Sequence, residues 1–211
     1  MISSDLVRYA RVHRATAILT GAAVVVILSA LFGGSNIALP SIGSGGVTTG
    51  VPFRRELPLF SAVFLSAALS SAMAKHEEMG ASAMHRYRLK YCFGLTLTVC
   101  VLSFGVEGLA VGVEAGVVFV RSILIWFGLA LLSIRMLGPQ LSWPLPLASA
   151  LVLIWYPQEW WDWTANSATD LASWVAAAVA LAFGATASAA TSWRTRNWSR
   201  RARNTIMCGS S

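Results

Sequence analysis

Residues 15–32 read ATAILTGAAVVVILSALF, a run without a single charged side chain, and its reading decides the fold class. A helix needs about 20 apolar residues to cross a hydrocarbon core roughly 30 Å thick, because each residue rises 1.5 Å. The run comes close to that length. Arg8, Arg11 and Arg14 stand before it and Gly33 and Gly34 after it. A basic flank followed by an apolar run also occurs in cleaved secretory signals. Here the run reaches spanning length and the rest of the chain is equally apolar, so it reads as an uncleaved first helix.

Outward from this segment the same character continues. The 211 residues are 56% hydrophobic and 12% charged, whereas soluble domains carry about 25% charged residues. Further apolar runs cover about 57–74, 91–111, a fourth stretch ending near Arg135, 145–156 and 171–193. The predicted fold is all-α, a polytopic bundle of about six transmembrane helices over 15–193. The fifth run is short for a crossing and reads as tilted or partly re-entrant. Residues 1–14, with arginines three apart on one helical stripe, form a cytoplasmic amphipathic segment, and 194–211 form a basic cytoplasmic tail. The Ser-, Gly- and Pro-rich stretch from Ser35 to Glu56 reads as a loop, Gly112 to Gly116 as a turn, and Pro157 to Asp170 as an acidic, Trp-rich loop.

Charge sets the orientation. Of the 16 Lys and Arg residues, all but Arg54, Arg55 and Arg121 fall on one side of a six-crossing chain. Because cytoplasmic segments retain positive charge, both termini are expected inside a multi-pass plasma-membrane protein. The net charge of +7 lies in short groups between apolar runs and not along one polar face, which argues against nucleic-acid binding.

No catalytic or cofactor signature stands out. His13, His76 and His85 fall at expected inner helix ends, away from the mid-bilayer depth that a haem or buried metal would use. Cys92, Cys100 and Cys208 have no metal-ligand spacing. Gly43-Ser44-Gly45 has a protease-like look but reads as linker, and no GxxxxGK[ST] loop is present to hold a nucleotide. The chain is therefore not expected to be an enzyme, to bind a metal or to carry a cofactor. Glu107, Glu114 and Arg121 follow one another at intervals of seven, and a turn between the acids would gather them in an outer polar cluster where Arg121 meets Glu107 or Glu114. Snorkelling with local ion pairing is the competing reading. Gly105, Gly108 and Gly112, and likewise Ala176, Ala180 and Gly184, form smooth stripes suited to close helix packing.

The most informative polar segment is Ala74-Lys75-His76-Glu77-Glu78-Met79-Gly80-Ala81, followed by Arg86, Arg88 and Lys90 before the third run. It resembles the inner loop of ABC-2 type transporter permeases, where an acidic pair and a glycine follow the second span. The plan of six spans, inward termini, a leading amphipathic helix and an irregular outer segment between the fifth and sixth spans is similar as well. The C-terminal half, with Leu129 to Gly138, Leu141 to Leu147 and the Trp-rich stretch at Trp160 to Trp163, resembles small six-span actinobacterial-type membrane subunits often paired with transporter ATPases. The resemblance implies a permease subunit of an exporter for an amphipathic compound or peptide, energised by a separate ATPase subunit and working as a homodimer or heterodimer of permeases. It makes Glu77, Glu78 and Gly80 the ATPase contact. A non-transporting scaffold or regulatory subunit of a larger complex is the alternative expectation, and membrane lipid is a partner under either.

Overall fold

The structure is a computed structural model, and it describes residues 15–40, 48–67, 82–138, 140–156 and 161–186. Six helices are seen among them. They are α1 (Ala15–Phe32), α2 (Leu57–Ala67), α3 (Ser82–Ala110), α4 (Val113–Leu137), α5 (Pro144–Trp155) and α6 (Leu171–Thr186). α1, the Leu89–Ala110 part of α3, and α4 are long and apolar enough to cross a membrane, while α5 and α6 are apolar but shorter. This composition is that of a helical membrane protein. In lipid, helices are favoured because each backbone N–H and C=O finds its partner within the segment.

The stretch expected to be a loop contains strands. β1 (Asn36–Pro40) and β2 (Thr48–Pro52) pair antiparallel, with Asn36 opposite Pro52 and Pro40 opposite Thr48. Ile37, Thr48, Thr49 and Val51 have β-favouring side chains, and a ladder satisfies backbone groups that no helix covers. The ladder is seated on the end of α1, where Phe53 N–H donates to Ser35 O and Arg54 N–H donates to Gly33 O. A 3-10 turn, Phe53–Arg55, then leads into α2.

Glycine and proline set the other boundaries. The α3–α4 turn is tighter than expected, with α4 starting at Val113 directly after Gly112, whose φ of +131° suits glycine. At its far end Gly138, with φ +102°, donates its N–H to Ile134 O and stops the helix. α5 opens on Pro144, a position where the missing N–H has no cost.

α4 is the central element, buried along most of its length, while α1 and α3 turn most of their residues outward. It packs against α2, α3 and α5, and Phe119, Ile123, Trp126 and Phe127 supply its part of the core. α6 crosses it at a small-residue contact. A β-carbon on Gly128 would lie 2.5 Å from the backbone of Ala180, and one on Gly184 would lie 2.7 Å from Gly128 O. The Ala180 and Gly184 stripe is therefore a packing face against α4. A β-carbon built on Gly105 or Gly108 would meet no neighbouring element within 4 Å, although the Gly108 backbone itself lies against Gly116 of α4.

Candidate functional site

The buried charged residues among the described ones, Glu107, Arg121 and Asp162, lie at the end of the bundle where the hairpin, the α3–α4 turn and the 161–170 loop meet. The loop is recessed. Arg121 lies eight residues into α4, about 12 Å below its start at 1.5 Å per residue, and it reaches the loop directly. Its guanidinium donates to Ser167 O at 2.6 Å, Trp163 O at 2.7 Å and Asn166 O at 2.8 Å. Trp163 goes deeper, edge-on to Trp126 with ring centroids 6.5 Å apart.

Local sequence explains this loop. Asp162 Oδ1 accepts from Thr164 N–H, Thr164 Oγ1 and Ala165 N–H, and Asp162 O accepts from Ala165 and Asn166 N–H, which makes one helical turn capped by its own aspartate. A turn this short leaves Trp163 O and Asn166 O without backbone donors, while Ser167 O already accepts from Asp170 N–H. Arg121 supplies them. Next, Asp170 Oδ2 accepts from the N–H and hydroxyl of Ser173 and from Asn166 Nδ2, fixing the start of α6. Those hydrogen bonds, Ser173's first, hold the Asp170 carboxyl below its ordinary range.

Above the loop stands the 53–56 corner. Arg54 Nε lies 3.0 Å from Glu107 Oε2, with Glu107 fully buried and Arg54 about a quarter exposed. Arg54 Nη2 also donates to Ser29 O at 3.4 Å, so one guanidinium ties α1 to α3. Arg55 Nη1 faces Asp162 Oδ2 at 3.8 Å and connects the corner to the loop. Glu56 is pushed up to about 7, first by burial and then by the nearby Asp162 charge, with Arg55 opposing.

Between these parts lies a cavity of roughly 460 Å³. Arg54, Arg55 and Pro58 line one side, Glu114, Val118 and Phe119 of α4 another, and Thr164 to Ser167 the loop side. The cavity reaches Ser122 as well as Gly112, so it extends down α4 to the level of Arg121.

Of the residues expected at this end, Glu107, Glu114 and Arg121 are all here, but their pairing differs from the sequence expectation. Glu107 takes Arg54, Arg121 takes backbone carbonyls, and Glu114 is exposed on the cavity wall. Arg54, Arg55 and Asp162 complete the site and were not singled out from spacing. The Asp162-Trp163-Thr164 sequence carried a signal for its capped turn, whereas the Arg54–Glu107 contact spans 53 positions and left none. Glu77, Glu78 and Gly80 lie outside the described residues. Among the described residues no cluster of three His, Cys, Asp or Glu side chains could hold a metal ion. No protein-family model matches the chain, and no curated protein or solved structure matches it either.

Proposed function

We propose that the chain is the membrane-spanning permease subunit of an exporter for an amphipathic compound or peptide, energised by a separate ATPase and built from two permease copies. In this reading all six helices belong to crossings, with both termini cytoplasmic and the cavity end on the outer side of the plasma membrane. The observation that carries it is the recessed 161–170 loop before α6, folded down to Arg121 beneath a polar and apolar cavity. It answers to the irregular outer segment that the resemblance places between the fifth and sixth spans. Cargo would leave through such a mouth, while Glu77, Glu78 and Gly80 would transmit force from the ATPase.

Co-expression with an ATPase encoded beside it tests the proposal. The two are expected to co-purify, and Glu77→Ala with Glu78→Ala is expected to uncouple ATP hydrolysis from efflux. Failure to associate, or unchanged coupling in the double variant, removes the ATPase contact.

A second reading, a non-transporting subunit of a larger membrane complex, is favoured by the packing of α4. Its core face is filled mainly by apolar side chains, and the buried charged residues among the described ones, Glu107, Arg121 and Asp162, gather at one end without lining a path along the bundle. Capture of a stable heteromer lacking any ATPase would support it.

A further inference from the structure

We propose that the cavity between Arg55 and Glu114 is a binding site for a phospholipid with a zwitterionic headgroup bearing a primary ammonium. The inference goes beyond the exporter reading and needs no ATPase. Its basis is the placement of charge. Arg54 and Arg55 both line the cavity, and each is matched by an acid packed behind it, Glu107 at 3.0 Å and Asp162 at 3.8 Å. A guanidinium has five N–H donors. Arg54 is ion-paired with Glu107 through Nε and spends Nη2 on Ser29 O, and Arg55 faces Asp162 through Nη1, so both arginines keep donors for a phosphate while the acids fix their positions.

On the α4 side Glu114 is exposed and makes no ion pair among the described residues. A purely anionic ligand held by the arginines would face this carboxylate, and a purely cationic one held by Glu114 would face two guanidinium groups. A headgroup with a phosphate and an ammonium meets both walls with opposite charge. A primary ammonium is favoured over a quaternary one because only the former can donate hydrogen bonds to Glu114.

The cavity rim points to a lipid over a soluble zwitterion. Val111 lines the cavity and is 46% exposed, and beside it Leu109 and Val113 are 92% and 65% exposed. Three open apolar side chains around a helix turn suit the boundary between headgroups and acyl chains. The headgroup would sit in the cavity with its chains along this rim.

Lipid retention by the full-length purified protein tests the proposal. The protein is equilibrated with equimolar phosphatidylethanolamine and phosphatidylglycerol, passed through size exclusion, and its bound lipid counted by native mass spectrometry. The ethanolamine lipid is expected to be retained about tenfold over the glycerol lipid, the scale of one charge-assisted contact. Glu114→Gln should remove that preference while retaining lipid, and Arg55→Gln should weaken retention of both. Equal retention by the unaltered protein, or a preference that survives Glu114→Gln, overturns the site. Soluble glycerophosphoethanolamine competing as well as the intact lipid overturns the lipid assignment.

Discussion

At position 121 an arginine lies about 12 Å down its helix with three carbonyl oxygens around its guanidinium. In a low-dielectric interior the charge is tolerated because these charge-assisted hydrogen bonds replace water, and the Trp163 and Asn166 carbonyls are tolerated because the arginine replaces missing backbone donors. Arg121→Met should therefore release the 161–170 loop and destabilise the protein by about 3 kcal/mol, read as a lower Tm in detergent and faster proteolysis within the loop. Arg121→Lys, a single-point donor, should recover part of the loss. The Arg54–Glu107 pair follows a related rule. Arg54→Gln strands a fully buried carboxylate and should cost more than Glu107→Gln, while the double variant should regain about 1–3 kcal/mol over the sum of the singles. Glu56 adds a pH dependence of known sign. Its folded-state value of about 7 lies above the ordinary 4.5, so its stabilising contribution is complete below about pH 4.5 and is lost as pH rises through about 7. Glu56→Gln should flatten the Tm profile across that window.

Among the elements, the α4–α6 crossing depends on the absence of side chains. Because a β-carbon at Gly128 would meet Ala180 backbone at 2.5 Å, Gly128→Leu must push the helices apart, with a loss of about 1–3 kcal/mol. Gly105→Ala is the matched control, since nothing lies within 4 Å of its β-carbon, and its Tm should be unchanged or slightly higher. The two stripes looked equivalent as sequence, both with small residues three or four apart. An added β-carbon would strike a partner helix at Gly184 but not at Gly105 or Gly108, although the Gly108 backbone lies against Gly116 of α4. The hairpin differs from a plain loop in a similar way: Thr-Thr-Gly-Val-Pro at 48–52 carries little alternation, and its pairing with 36–40 lies in backbone hydrogen bonds that the sequence barely marks.

For the molecule as a whole, the proposed topology places Glu114 outside and the Gly138 end of α4 inside. In a chain lacking Cys92, Cys100 and Cys208, Glu114→Cys should react with an impermeant maleimide on intact cells. Gln140→Cys should react only after permeabilisation. The reverse pattern would invert the chain and leave Glu77 out of reach of any ATPase. The membrane-helical class and most helix positions were legible in the sequence: α1 covers Ala15–Phe32 as its uncharged run does, and α5 is as short as residues 145–156 suggested. These are local properties, since mean hydropathy and backbone hydrogen bonding depend on residues adjacent in the chain. Which charge meets which was decided by tertiary structure alone. Glu107, Glu114 and Arg121 share a spacing of seven, yet a two-residue turn at Gly112 reverses the chain between the first and the others, the 3-10 turn after the hairpin sets Arg54 against Glu107, and Arg121 is held by the 161–170 loop. Ion pairing follows distance in space, and that distance is set by how the helices pack.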